Sequence, residues 1–361
     1  MEKRTAQEAH RMGSMSPTRP APGAPEPDRK PPRTPGGRWL PLRRRGLSLL
    51  LGTSVAVAYS LLTELAFRAN WAGALLAVLS LGFLAVMPMA IGVLTVVVAD
   101  AEARRSWPYA IFAGWPACFI LAMLTIVLSL DAAICLVMAL PILLVSASLG
   151  GFIARAILGS RPSGPVYAVA LLPLFLPYLV TPIERQIAPA TSVRQVRNTI
   201  VIAAPRAVVW ENVVRVPTIG DAEWRTGWTT LAGLPAPREA ALSGSGVGAV
   251  RDASFADGLT FTERITAWDE GRHLRFTITV DRTRPVPKPF GAIGGPNFAV
   301  NYGDYTLEDG PDGTTLLILE SQERVTTHFN AYAAWWTDRI MSDLQGRILA
   351  VVRARSEGAA H

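Results

Sequence analysis

Two opposite charges fall on a strand face that is otherwise apolar. Phe255-Ala256-Asp257-Gly258-Leu259 fits a three-residue hairpin loop with glycine in the left-handed position. That turn sets Phe255 against Leu259, Ala253 against Phe261, Arg251 against Glu263, and Ala249 against Ile265. A slip of one residue would oppose Arg251 with Arg264 and Asp252 with Glu263, like charges both times, so the first register is favoured. Charges on an apolar face lose several kcal/mol of solvation unless they are paired. Three roles fit them. They could orient a ligand headgroup from a cavity wall. Glu263 could act as an acid/base with Arg251 stabilising developing negative charge. Or the pair could simply fix strand register.

Other chemistry is sparse. His273 and His328 have no serine or cysteine partner at a suggestive spacing and read as surface residues. Gly244-Ser245-Gly246-Val247-Gly248-Ala249 matches a dinucleotide fingerprint in letters but leads into a strand, whereas that fingerprint needs a following helix. Cys118 and Cys135 both lie in apolar runs without metal-ligand spacing. No cofactor and no metal are expected. Trp210, Trp224, Trp228, Trp335 and Trp336 could line a ligand channel or pack a core, with Trp224 and Trp228 placed for a cavity mouth or a bilayer surface.

The strands and helices that must hold Arg251 and Glu263 occupy the last 170 residues. Val196–Ile202 reads as a strand, and Ala204-Pro205 opens a helix over Arg206–Val216. Pro217–Pro237 reads as a short helix with loops. Glu270-Gly271 makes the second hairpin turn, pairing Ile265 with Phe276 and Phe261 with Val280, so Leu274, Phe276, Ile278 and Val280 join the inner face. Thr260, Thr262, Arg264, Thr266, Arg275, Thr277 and Thr279 make the solvated face. Val300–Glu308 and Thr314–Val325 follow as strands, the second apolar on both faces and so without an assignable inner side. Phe329, Tyr332, Trp336, Ile340, Leu344, Ile348 and Val351 form a helical stripe over Phe329–Arg355, with Arg339, Asp343 and Arg347 laddered on another face.

The 361 residues are 50% hydrophobic and only 17% charged, below the ~25% of ordinary soluble domains. The net charge of +7 sits in the first 45 residues, which hold 11 Lys/Arg against 4 Asp/Glu; residues 194–361 hold 18 against 19. No folded part offers a cationic surface for phosphate backbones, which excludes nucleic acid as a partner. Residues 1–45, rich in Pro, Arg and Gly, read as a disordered basic tail. Apolar runs of bilayer length follow at Gly46–Phe67, Trp71–Ala99, Tyr109–Leu130, Ala132–Leu158 and Val166–Ile183. They make a transmembrane region over 46–184 of about five helices. The second is read as one tilted helix kinked at Pro88; Pro141, Pro173 and Pro177 are read as tolerated kinks, and Glu64 as snorkelling from the end of its span. Ser146, Gly150 and Ala154 form a ridge for close helix packing. Arg43, Arg44, Arg45, Arg104, Arg105, Arg155 and Arg161 would face the cytoplasm, against Arg68 in the opposite loops, with Arg185, Arg194 and Arg197 beyond the last span. The expected topology is an inner-membrane protein with a cytoplasmic N-terminus and an extracytoplasmic C-terminal domain. Three lysines against 32 arginines hint at a bacterial genome of high GC content.

Ala204-Pro205 with Val209-Trp210, Gly246-Val247-Gly248-Ala249-Val250-Arg251, Asp257-Gly258 with Glu263, and the closing helix with Trp336 follow the order of a known superfamily. Over residues 194–356 the chain resembles the START-related SRPBCC proteins, which include polyketide cyclase/dehydrase-like and birch-pollen-allergen-like members. The resemblance implies an α+β helix-grip domain, an antiparallel sheet wrapped on a long C-terminal helix, here behind an all-α transmembrane bundle. It also implies an apolar cavity between sheet and helix that binds a hydrophobic small molecule or lipid. The residues expected to bind it are Arg251, Glu263, Phe261, Ile265 and Phe276 from the meander. Trp210, Tyr302, Trp336 and Ile340 join them from the flanking elements. The expected protein is a binder rather than an enzyme. The alternatives are a polyketide cyclase/hydrolase-like enzyme using Glu263 and Arg251, and a non-catalytic membrane sensor or assembly protein whose spans pack on a membrane-protein partner or on further copies of this chain.

Overall fold

A computed structural model describes residues 40–70, 80–99, 104, 106–158, 164–287 and 290–359. The tail expected over residues 1–39 and the start of the second apolar run at 71–79 lie outside the described residues.

Helix α1 (Leu40–Asn70) starts inside the segment read as tail. The second run continues from Ser80 through a π-helical turn, Gly82–Val86, into α2 (Met87–Val98). Pro88 has no N–H to offer the Leu84 carbonyl, and just before it the ladder loosens to an i→i+5 bond from the Met87 amide to the Gly82 carbonyl. α3 (Trp107–Phe112) and α4 (Trp115–Val127) run nearly on from one another, and α5 (Ala133–Leu158) continues unbroken through Pro141. Among the described residues, Gly46–Ala66, Trp107–Val127 and Ala133–Leu158 are long and apolar enough to cross a bilayer; Gly82–Val98 is apolar but shorter.

Two expectations about this region need correcting. The last apolar run is not one kinked helix. It folds as α6 (Gly164–Leu171), a 3₁₀ turn (Leu172–Leu174) and α7 (Leu176–Glu184). Pro173 and Pro177 each stand in the first turn of a new segment, the position where a missing N–H costs least. Glu64 does not snorkel. It is 1% exposed and faces the bundle interior, where Thr125 and Asp131 line the same small cavity. The small-residue ridge packs as expected, since a Cβ on Gly150 would run into the Met89 carbonyl and one on Gly92 into that of Ala147.

The C-terminal region opens with β1 (Thr191–Ile202), α8 (Arg206–Val214) and the short α9 (Trp228–Leu231). Then come β2 (Pro237–Ser243), β3 (Val250–Phe255), β4 (Thr260–Asp269), β5 (His273–Val280), β6 (Phe298–Asp309), β7 (Thr315–Thr326) and α10 (Asn330–Ala359). The strands form one antiparallel sheet in the order β1-β7-β6-β5-β4-β3-β2. The registers expected for β3–β4 and β4–β5 are observed: Arg251 pairs with Glu263, Ala253 with Phe261, Ile265 with Phe276 and Phe261 with Val280. Asp257 and Gly258 both take positive φ at the first turn. β2 has no counterpart among the strands expected from the sequence. The glycine-rich loop that matches a nucleotide fingerprint joins β2 to β3 and precedes no helix.

Bulges between Ile265 and Ala267 and between Val300 and Tyr302 bend the sheet. The curved face closes on α10 around Ile202, Val209, Ile265, Leu274, Leu317 and Leu349. On β7 the odd-numbered residues Leu317, Leu319, Ser321, Glu323 and Val325 are all buried, while of the even-numbered ones only Ile318 is, which assigns the side that sequence patterning left open. The helix ladder forms in part: Arg347 pairs with Asp343 at 2.6 Å, while Arg339 stacks over Trp335 at 4.2 Å.

The bundle and the sheet domain meet directly. Ala132 and Ile134, at the turn between α4 and α5, join a buried cluster with Ala232, Leu259 and Phe290. The Tyr332 hydroxyl at the start of α10 donates to the Met138 carbonyl at 2.5 Å. Glu184 at the end of α7 accepts from the Leu81 amide at 2.7 Å and lies 3.7 Å from the His328 ring.

Candidate functional site

A cavity of about 180 Å³ lies between the curved sheet and α10. Its walls come from the inward side chains of five strands and from one helical stripe. β3 and β4 supply Arg251, Phe261 and Glu263, β5 supplies Phe276, and β6 supplies Gly303 and Tyr305. β7 supplies Leu319 and Ser321, and α10 supplies Ile340, Leu344, Gln345 and Ile348. Phe255, Leu259, Phe261, Ile293 and Ile340 also belong to the cluster formed with Ala132 and Ile134, so the α4–α5 turn packs behind that end of the wall.

The polar groups sit away from that end. Four residues along β3 separate Phe255 from Arg251, roughly 13 Å at strand rise. Five along α10 separate Ile340 from Gln345, roughly 7 Å at helix rise. The Arg251 Nε donates to Glu263 at 2.5 Å, its Nη1 donates to the Val213 carbonyl at 2.7 Å, and the guanidinium stacks on Phe276 at 4.5 Å. Both charged residues are buried. Burial pushes the Glu263 carboxyl above the usual carboxylate range, against the pull of Arg251. Burial likewise raises the Tyr305 hydroxyl to about 12. Deeper on β7, Ser321 donates to Glu323 and accepts from the Gln345 amide at 2.6 Å. Glu323 is fully buried, and loss of solvent raises it to about 7.

Gly303 is required by close approach. A Cβ there would stand 2.5 Å from the tip of the Phe276 ring, so a side chain would push that ring into the cavity.

Of the residues expected at the site, Arg251, Phe261, Glu263, Phe276 and Ile340 share this wall. The other four lie elsewhere. Ile265 is in the core below. Trp210 packs edge-on against Trp268 at 5.3 Å. Trp336 lines a neighbouring cleft with Trp228, Trp335 and Val137. Tyr302 lies beneath the Arg275 guanidinium at 3.9 Å, on the far face of the sheet, because the adjacent bulge shifts the in/out alternation of β6 by one. Trp224 is buried under Arg347 rather than at a mouth. Sequence reasoning missed Gly303, Tyr305, Ser321, Glu323 and Gln345. Ser321 and Glu323 carried a signal, as polar letters continuing the alternation of Leu317 and Leu319.

An antiparallel sheet curled around a long C-terminal helix, with a cavity between them, decides the architecture. This is a helix-grip domain. No protein-family model matches the chain, and no curated protein does. Solved structures similar to it include Ara h 8.0201, at 15% identity and a TM-score of 0.28, covering 45% of this chain and 98% of the other. A second is CV1439 from Chromobacterium violaceum, at 19% identity and a TM-score of 0.27, covering 45% and 96%. A third, from Nitrosospira multiformis, has 20% identity and a TM-score of 0.26 with the same coverage. The helix grip itself rests on the strand order and on the packing of α10 in this chain. Among the described residues no group of three His, Cys, Asp or Glu side chains could hold a metal ion.

Proposed function

We propose that this protein is a membrane-anchored helix-grip protein of the SRPBCC type that binds a hydrophobic small molecule or lipid between its sheet and α10. One observation carries the reading. The cavity is walled almost wholly by apolar side chains, and Phe255, Phe261 and Ile340 on its wall pack in one cluster with Ala132 and Ile134 of an apolar helical hairpin, which holds the cavity beside the place where a hydrophobic ligand concentrates. The enzyme reading has less behind it: Arg251 and Glu263 already satisfy each other and the Val213 carbonyl, and no catalytic cysteine or histidine joins them on the cavity wall, where the one serine, Ser321, is engaged with Glu323 and Gln345. Native mass spectrometry of the full chain in nanodiscs tests the proposal. The parent should retain or take up an apolar adduct, and Gly303→Val, which drives Phe276 into the space, should lose it. A parent that carries no adduct and takes up none of a series of apolar molecules, from single-ring compounds to fatty acids, would sink it.

The proposed orientation puts the helix grip outside the cytoplasm of an inner membrane. The α4–α5 turn and the end of α7 meet the domain, whereas Arg155, stacked 3.7 Å over Trp107, and Arg104 belong to the opposite helix ends. A reporter fused after residue 361 should be active only outside the cytoplasm; activity of a cytoplasmic reporter at that position would reverse the topology.

A further inference from the structure

An open cleft of about 660 Å³ lies where the helical bundle meets the helix grip. Val137 of α5, Trp228 of α9, and Trp335, Trp336 and Arg339 of α10 line it. It uses the opposite side of α10 from the cavity, which takes Ile340, Leu344 and Ile348.

Val137 ties the cleft to the apolar surface of the bundle. Val137, Pro141, Val145 and Leu149 are all exposed and stand four residues apart on α5, a helix long and apolar enough to cross a bilayer. They form one slanting apolar row, roughly 18 Å long, that begins at the cleft. On the domain side the anchor is Tyr332, whose hydroxyl donates to the Met138 carbonyl at 2.5 Å. Trp335, Arg339 and Ser342 follow Tyr332 at intervals of three, four and three residues, so all four share a face of α10. Arg339 therefore stands roughly 10 Å along α10 from the contact with α5. Next to α9, Gly233 abuts Ala133 of α5, and Trp335 is 47% exposed at the same junction. Tryptophan in such a place is typical of the level where lipid headgroups lie.

The charges in the cleft do not cancel. Asp338 is matched by Arg194 at 2.5 Å and Asp343 by Arg347 at 2.6 Å. Arg339 is exposed and has no carboxylate partner among the described residues; its guanidinium lies 4.2 Å over the Trp335 ring. Stacking takes the flat of the guanidinium and leaves its N–H edge open to an anion, and a phosphate accepts from that edge through two oxygens. With both aspartates matched, the cleft holds no acceptor for an ammonium group.

Resting on the membrane placement proposed above and not on the cavity ligand, we propose that this cleft seats the headgroup of an anionic phospholipid. The phosphate takes the Arg339 edge, the glycerol lies among the three indoles, and an acyl chain follows the row on α5.

Native mass spectrometry of the full chain in detergent micelles tests this with phosphatidylglycerol and phosphatidylcholine of the same acyl chains. The parent should bind phosphatidylglycerol about fivefold more tightly, the effect of one basic side chain on an anionic headgroup. Arg339→Gln should weaken phosphatidylglycerol by about that factor and leave phosphatidylcholine unchanged. Arg264→Gln removes the same charge from an exposed position on β4 and should alter neither. Glycerol 3-phosphate should not displace the lipid. Equal affinity of the parent for the two lipids would overturn the proposal, as would no loss in Arg339→Gln or the same loss in both arginine variants. Displacement by glycerol 3-phosphate would overturn it in favour of a site for small soluble anions. Each of these results leaves the cavity reading standing, whereas a chain that purifies without detergent would remove the membrane placement and the lipid site together.

Discussion

Glu263→Leu is expected to lower the melting temperature of the helix grip by about 10 °C, and adding Arg251→Met to recover most of the loss. The single change strands the Arg251 guanidinium in a wall where it is 3% exposed. Removing one member of a buried ion pair costs ~3–5 kcal/mol, whereas replacing both with apolar groups of similar volume is near neutral. For a domain of this size one kcal/mol moves the midpoint by ~2–4 °C. Recovery should be incomplete, because Arg251 also satisfies the Val213 carbonyl at 2.7 Å and lies over Phe276. The measurement is intrinsic tryptophan fluorescence on heating the detergent-solubilised chain. It separates the two roles that sequence left open. A pair kept for register shows the loss and the recovery with ligand uptake intact in the double variant; a pair kept for the ligand shows the same thermal pattern with uptake abolished. A single variant that melts with the parent would mean the two charges are not coupled.

Glu323→Gln should stabilise the protein above neutral pH and do little in acid. Loss of solvent raises the Glu323 carboxyl to about 7 from the free value of 4.5; Ser321 and Arg194 oppose the rise, and Asp338 on α10 reinforces it. Arg194, opposite Glu323 in the β1–β7 register, has its guanidinium drawn to Asp338 at 2.5 Å, which leaves one Glu323 oxygen without a partner. Below pH 4.5 the group is protonated in both folded and unfolded chains and costs nothing. Between 4.5 and 7 the unfolded chain ionises while the folded one holds its proton, so folding weakens as pH rises and then levels off. The full cost is about 3 kcal/mol. The glutamine variant should therefore melt ~6–12 °C above the parent at pH 8, with the gap closing to under ~1 kcal/mol by about pH 4.5. Identical melting at both pH values would show that Glu323 is solvated.

The meander is legible in the sequence because its register is over-determined. A glycine turn, an apolar face and one charge pair all select the same pairing of Arg251 with Glu263, and the second hairpin inherits it. Alternation says nothing about bulges. The extra residue between Val300 and Tyr302 sends Tyr302 to the outer face and brings Gly303 and Tyr305 inward. β7 is ambiguous for a related reason: Leu316 and Ile318 on one side are as apolar as Leu317 and Leu319 on the other, and only the covering helix distinguishes them. The α10 stripe shows plainly in its spacing, but Gln345 beside Leu344 looks like the polar edge of the stripe rather than part of a cavity wall. In the bundle, apolar length is readable and continuity is not. Pro141 and Pro173 are the same letter in similar surroundings, yet the helix passes through one and restarts at the other.

β2 is hidden in the sequence because Pro237-Arg238-Glu239-Ala240-Ala241 is a poor strand former, and it forms one of the two edge strands of the sheet, opposite β1. It is short, starts on a proline, carries two charges and slips register between Pro237 and Glu239. Proteins tethered to a lipid surface collide in two dimensions at high local density, where an open β-edge would invite neighbouring copies to zip together. Here the rim is covered from within: the Val216 and Ala240 backbones exchange hydrogen bonds and the Ile219 amide donates to the Arg238 carbonyl, so β2 has few free backbone groups left to template a second chain.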